Sequence, residues 1–337
     1  MNLFSNTKTF NLVFRCCRNY SSKISQQIFD YEAKQQQRFR AAINAEKVGV
    51  STYDYIKEEV GWRLADRIFD IKRTFTTGLE ISAGRGYVSR HLDDEAVDFL
   101  LLCDPVKEML AQRTSPENIV KGHSDLIINH DKNFRMLRDG SLDLVVSCLS
   151  MHWVNDLNAA FSDCLRVLRQ DGVFIGAMFC SDTLFELRSS LQEAETKMRN
   201  SFTARVSPFV RPEDVAMLLH RAGYNLITLD CDEFRVGYPS AIELMRDLKG
   251  MGEQNCSFSR QLNLNRSLLE KTKEIYKEMY SENEDGSVPA TYQIVYWIGW
   301  KPDPSQPKPA ARGSANFSLK DLDKLADMAP PLSPVKS

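Results

Sequence analysis

Within the 337 residues no apolar run approaches the roughly 20 that a membrane-crossing helix requires, so any membrane contact is expected to be peripheral. Cysteine occurs eight times, at positions 16, 17, 103, 148, 164, 180, 231 and 256, but never as a C-x-x-C pair. Redox-dithiol and zinc-ribbon readings lose their usual signal, and the cysteines read as reduced, buried small residues. Histidine is scarce, at five residues. A basic surplus is missing too: 43 Lys and Arg face 45 Asp and Glu, for a net charge of -2. With no aromatic-interleaved basic stretch in the interior, no nucleic-acid partner is expected. There are no internal repeats. A hydrophobic share of 43% is enough for a sizeable core.

The charge is unevenly spread. Lys8, Arg15, Arg18 and Lys23 precede the first acid, Asp30, so the remainder carries -6 where the whole carries -2. Ser5, Ser21 and Ser22 among Phe4, Phe10, Leu12, Val13 and Phe14 complete the basic, acid-free composition of an organelle presequence, with cleavage expected after Tyr20. The expected domains are a mitochondrial presequence over 1–20, N-terminal helices over 26–70, a main domain over 71–300 and a Pro-rich tail over 301–337. The main domain carries a helical insertion over about 182–222, read as a lid. The tail is too poor in apolar residues to order itself, except for a short docking helix over 317–328.

In the second N-terminal helix Ile56, Val60, Leu64 and Ile68 recur at four-residue steps. Strand-like runs at 75–81, 97–103, 142–148 and 173–178 then alternate with helical stretches at 87–92, 105–113 and 157–169. Such alternation predicts an α/β fold, a doubly wound and mostly parallel sheet covered by helices on both faces. Further elements are helices over 182–200, 212–220, 240–251 and 265–280 and strands over 225–230 and 290–300. Gly250-Met251-Gly252 lacks the strand and Lys of a phosphate loop and reads as a glycine-closed helix end.

Where the first core strand passes into the following turn stands Leu79-Glu80-Ile81-Ser82-Ala83-Gly84-Arg85-Gly86-Tyr87. Residues without side chains at that switch point let the backbone turn sharply and a ligand approach closely. Small residues at 82, 84 and 86, with Glu80 before them, form a shorter loop than the dinucleotide G-x-G-x-x-G. It fits S-adenosyl-L-methionine, which has no pyrophosphate to cradle. Asp104, at the end of the second strand, is placed to accept from both ribose hydroxyls. Asp131 is expected at the adenine edge, with Asp125 as competitor. Ser82 departs from the glycine usual at the first small position, and its Cβ narrows the loop. The expected cofactor residues are thus Glu80, Ser82, Gly84, Gly86, Asp104 and Asp131.

The segments Ser147-Cys148-Leu149-Ser150-Met151-His152-Trp153-Val154-Asn155-Asp156-Leu157, Gly172-Val173-Phe174-Ile175-Gly176-Ala177-Met178-Phe179 and Asp285-Gly286-Ser287-Val288-Pro289-Ala290-Thr291-Tyr292-Gln293-Ile294 resemble the mitochondrial complex I assembly factor 5 family, over about residues 29–313. The resemblance implies a class I S-adenosylmethionine-dependent methyltransferase fold. It also implies arginine hydroxylation of the PSST iron-sulfur subunit of complex I early in assembly, on the matrix side of the inner membrane, together with other assembly factors. Leu248-Lys249-Gly250-Met251-Gly252 and His152-Trp153 also resemble malonyl-carrier-protein methyltransferases, which implies carboxyl or protein methylation as the alternative. A non-enzymatic assembly chaperone that keeps the pocket is the third reading.

The loop itself does not explain hydroxylation, which needs activated oxygen that methyl donation does not supply. His123-Ser124-Asp125 has the H-x-D spacing of iron sites, with His130, His152 or His220 as a third ligand, but a loop histidine near the cofactor is the favoured reading and no metal site is assigned. His152 and Trp153 follow the 142–148 strand at its carboxyl edge and are the candidates for the reaction centre. The competing reading has Trp153 packed under the next helix and His152 bonded to a loop. A guanidinium substrate needs a carboxylate fork, for which Asp156, Asp182, Glu186 and Glu253 are the candidates.

Overall fold

The computed structural model describes residues 27–49, 52–114, 137–201, 203–281, 286–308 and 312–314. The presequence, His123, Asp125, His130, Asp131 and the 317–328 helix lie outside the described residues. Residues up to 303 belong to one compact unit, and those from 304 onward to a second whose described residues are mostly turns.

The chain enters through α1 (Tyr31–Val48), capped by Asp30, whose carboxylate accepts the Ala33 N–H at 2.9 Å. Next comes α2 (Tyr55–Phe69), on which Ile56, Val60, Leu64 and Ile68 are all buried, as their spacing predicts. The core runs β1 (Gly78–Ile81), β2 (Leu100–Cys103), α3 (Lys107–Ala111), β3 (Leu142–Cys148), α4 (Leu157–Val167), β4 (Leu168–Phe179), α5 (Phe185–Arg199) and α6 (Pro212–Ala222). It closes with β5 (Asn225–Tyr238), α7 (Ala241–Met251), α8 (Arg266–Tyr280) and β6 (Val288–Trp300). The described strands form one sheet in the order β2-β1-β3-β4-β6-β5. β1 pairs in parallel with β2 and β3, and β3 with β4; β6 runs antiparallel to both β4 and β5.

Alternation along β3 divides the core. Leu144 and Val146 face the cluster containing the α2 stripe, whereas Val145 faces the one containing Phe161 of α4 and Leu219 of α6. Helices therefore cover both faces, and the doubly wound, mostly parallel α/β fold is the one expected. Gly176 of β4 lies opposite Trp297 of β6, and a Cβ there would come 2.2 Å from the Trp297 Cζ2. Only glycine lets that indole lie across the sheet.

Three local expectations are corrected. The helix expected over 87–92 is a 3-10 turn, Ser89–His91. The buried Glu80 carboxylate accepts the Val88 and Ser89 N–H groups at 3.3 and 3.2 Å and so holds the entry to that turn. The strand expected over 225–230 continues to Tyr238, and its acids, which interrupt the apolar alternation, are balanced from α2: Arg67 pairs with Asp230 at 2.7 Å and Arg63 with Asp232. The span 182–222 is not one insertion. α5 packs against α8 and β6, whereas α6 joins α4 and β5 in the helical layer of the sheet, with Val215 and Leu219 fully buried. Gly252, at φ +75°, closes α7 as its glycine pattern indicates.

Candidate functional site

The loop after β1 brings several of the expected cofactor residues together at the carboxyl edge of the sheet. Ser82 takes a left-handed conformation, φ +52°, followed by Gly84 at +58° and Gly86 at +73°. The Gly84 N–H donates to Asp104 Oδ2 at 2.9 Å, and the Val106 N–H to Asp104 Oδ1 at 2.8 Å. Asp104, fully buried at the end of β2, is thereby aimed at the glycine turn. Arg38 of α1 donates its guanidinium to the same Oδ2. Glu80 is placed differently from its expected role, because both its oxygens serve the backbone at Val88 and Ser89. Burial raises the Glu80 carboxyl to about 7, against those hydrogen bonds, which lower it.

The second half of the site follows β3. His152 and Trp153 form the one-turn 3-10 segment Met151–Trp153, and both converge on Glu253, just past the end of α7. Glu253 Oε2 accepts from Trp153 Nε1 at 2.8 Å and lies 3.2 Å from His152 Nε2, while Oε1 is 2.7 Å from Lys57 Nζ of α2. Burial alone would raise the Glu253 carboxyl; the Lys57 ammonium and the His152 hydrogen bond hold it well below the usual carboxylate range. Burial lowers the His152 imidazole, against the pull of Glu253. An ionised Glu253 only accepts, so a neutral His152 must donate from Nε2. That leaves Nδ1 with a bare lone pair, and this atom is buried without a hydrogen-bond partner among the described residues. The ring sits among Trp153, Phe179 and Phe209 at centroid separations of 4.9, 4.9 and 6.0 Å. Trp153 is packed, edge-on to Phe29 at 5.4 Å, and His152 is bonded to a loop residue, the buried carboxylate of Glu253.

Lys34 of α1 completes the cluster. Its ammonium stands 3.4 Å from the centroid of the Trp153 ring and donates to the Gly252 and Gln254 carbonyls at 2.9 and 2.8 Å. Burial pulls it down to about 8, although Glu253 opposes the shift. Lys34 and Arg38 lie one helical turn apart, about 6 Å along the axis, so α1 touches the Trp153 ring with one cation and Asp104, beside the glycine loop, with the other.

Of the four carboxylates expected as candidates for a guanidinium, only Glu253 lies beside His152 and Trp153. Asp156 caps α4 by accepting the Ala159 N–H, Asp182 is exposed, and Glu186 is bound to the Thr291 backbone and hydroxyl. Among the described residues no group of three or more His, Cys, Asp or Glu is arranged to hold a metal ion, and His220 is exposed in the last turn of α6. Lys34, Arg38 and Lys57 were not singled out from sequence. The available signal was Lys34, Arg38, Ala41 and Ala45 at three- and four-residue steps, a helix face of cations and small residues that suits close packing on an anionic site.

A family profile described as "Methyltransferase domain" matches residues 79–176, from the glycine loop through His152 to β4. "Arginine-hydroxylase NDUFAF5, mitochondrial" of Danio rerio is 44% identical, over 95% of this chain and 97% of that protein. The chain belongs to the arginine-hydroxylase NDUFAF5 family. The Homo sapiens member is 45% identical over 93% of this chain and 88% of its own length. Outside the family, the "Malonyl-[acyl-carrier protein] O-methyltransferase" of Methylovorus is 29% identical over 74% of this chain and 85% of that protein. The NDUFAF5 family assignment thus agrees with the resemblance seen in the three segments around His152, Gly176 and Gly286. The β3-edge pair and the glycine loop both lie within the methyltransferase-domain match.

Proposed function

We propose that this chain is a mitochondrial protein-arginine hydroxylase that binds S-adenosyl-L-methionine and acts on the PSST subunit of complex I during early assembly, beside other assembly factors. The observation that carries the reading is kinship: 44% identity over nearly the whole length of a protein named as an arginine hydroxylase. A mitochondrial location follows from the same kinship, those relatives being named mitochondrial, and we place the protein in the matrix, peripheral to the inner membrane. This placement is supported by the basic first 29 residues, read as a presequence over 1–20, and by the lack of any described helix long and apolar enough to cross a membrane. The domain limits of 71–300 and 301–337 belong to this proposal.

The loop fits the cofactor. A Cβ on Gly84 would stand 2.8 Å from Tyr87 Cε2, so glycine keeps open the cradle that an adenosyl group would fill. Ser82, Gly84 and Gly86 would hold the cofactor through their backbone, Asp104 would exchange Arg38 for the ribose hydroxyls, and Asp131 is proposed for the adenine. Bound there, S-adenosylmethionine supplies a sulfonium-activated methyl group. The chain's own reactive group is His152 Nδ1, a neutral base held in one tautomer by Glu253, with Trp153 as the wall beside it. Hydroxylation itself draws oxygen from dioxygen and electrons from a reductant, yielding water beside the alcohol.

Methyl transfer is the second reading, favoured by the profile match over 79–176 and by a base suited to a methyl acceptor that loses a proton. Intact-mass analysis of PSST, co-expressed with wild-type protein or His152→Ala, separates the readings. Gain of one oxygen supports hydroxylation; gain of one methylene supports methyl transfer. No mass change with restored assembly supports a chaperone.

A further inference from the structure

A pocket lies beside the His152, Trp153 and Glu253 cluster. Between α5 and α7 the fold forms a partly open cavity of about 400 Å³, within the range of ligand pockets. Its walls are Leu187 and Leu191 of α5, Met245 and Leu248 of α7, and Phe209 and Leu264 from the intervening loops. Among the described residues no strand or helix fills it, and Leu187 and Leu191 in its wall are buried. The polar lining is one-sided. Arg205, Arg246, Lys249 and Arg260 contribute four cations, and Glu253 is the one acid among the lining residues.

That acid is spent on Lys57, His152 and Trp153. Arg205, Arg246 and Arg260 are held by Glu195, Glu243 and Asp30, none of which lines the cavity. Lys249, exposed on α7 one turn beyond Arg246, has no ion-pair partner among the described residues. Whatever enters therefore meets hydrocarbon inside and positive charge at the exposed edge.

The geometry points to a single-chain fatty acyl carboxylate as the occupant, its chain between α5 and α7 and its carboxylate at Lys249. Charge complementarity selects an anionic head over a cationic one, and Lys249 supplies a strong charge-assisted donor. Volume selects one chain: at on the order of 30 Å³ per methylene-sized group, the cavity takes roughly a dozen carbons. The cavity shares Phe209 and Glu253 with the surroundings of His152, but the test reads binding alone and needs no hydroxylase activity.

Calorimetric titration of the purified full chain with octanoate, decanoate and dodecanoate, below their micelle concentrations, tests it. Affinity is expected to rise roughly tenfold per two methylenes and to level off near twelve carbons. Dodecyltrimethylammonium is expected to bind at least tenfold more weakly, and Lys249→Glu to weaken dodecanoate several-fold. Leu191→Trp should abolish saturable binding while near-UV circular dichroism stays native; if that variant misfolds, the half-buried Met245→Trp takes its place. The proposal is overturned by the absence of saturable dodecanoate binding, by equal affinity for the cationic chain, or by full affinity in the folded cavity-filling variant. It is equally overturned if an acetyl-trileucine amide peptide binds at the site and dodecanoate fails to displace it, which would make a protein segment the occupant. Saturable binding only to phosphatidylglycerol vesicles would instead assign a membrane surface.

Discussion

Replacing Glu253 with Gln tests whether the cluster of Glu253, Lys57, His152 and Trp153 is held by charge or only by shape. Gln keeps the volume and one acceptor for Trp153 and His152, so the change removes little besides the negative charge. Lys57 is left buried, its side chain 9% exposed, with only the Met251 carbonyl at 3.0 Å in hand. Removing one partner of a buried pair costs about 3–5 kcal/mol. For a domain of this size that corresponds to a fall in Tm of roughly 6–10 °C. Lys57→Met removes the other charge, and the double variant should recover about 2 kcal/mol relative to the sum of the single changes, as coupled neighbours do. Urea unfolding followed by tryptophan fluorescence measures all four corners of the cycle. A Glu253→Gln variant within about 0.5 kcal/mol of wild type, or strict additivity of the two changes, would refute the reasoning.

Other parts of the molecule give independent outcomes. Asp104→Asn should weaken S-adenosylmethionine binding roughly 10- to 100-fold in calorimetry, because charged acceptors contribute about 1.5–3 kcal/mol per hydrogen bond, while the protein stays folded. Glu80 has a folded-state pKa near 7, above its ordinary 4.5, so its contribution to stability is full below about pH 4.5 and is lost as pH rises through 7. Glu80→Gln should therefore flatten the fall in unfolding free energy between pH 5 and 8; an unchanged slope would count against a buried, proton-binding Glu80. His152 has the opposite sign: its lowered pKa costs stability as pH falls below 6.5, and His152→Phe should remove that acid-side loss in the same titration. Gly176→Ala should destabilise the fold by about 3 kcal/mol, since its Cβ would overlap the Trp297 ring. Thermal unfolding checks this, and a Tm within 2 °C of wild type would show that Trp297 yields easily.

Features carried by short segments were legible in the sequence. The turn at Gly84 and Gly86, the acid at Asp104 and the pair at His152 and Trp153 each follow a strand whose apolar run marks where it ends, and the strand ends share one edge of the sheet. The partners were not legible. Lys34, Lys57 and Glu253 are separated by up to 219 residues of chain, and only packing of α1 and α2 on the loop after α7 joins them. No local spacing encodes such a meeting. The 87–92 segment misled for a related reason: its pattern is compatible with a helix, but Glu80, outside the segment, claims its first N–H groups. The extension of β5 to Tyr238 was hidden by Asp230, Asp232 and Glu233, whose charges are answered partly by arginines from α2.

The placement of α1 has a thermodynamic consequence. Arg38 rests on Asp104, Lys34 on the Trp153 ring, and Gln37 between them donates to the Asn255 carbonyl at 3.1 Å, all from one rigid rod. A ligand that displaces Arg38 acts on the same helix that seats Lys34, so occupancy of the glycine loop is expected to be coupled to the cluster around Trp153. Linkage makes that coupling reciprocal: whatever factor cofactor binding applies to substrate affinity, substrate binding applies to cofactor affinity.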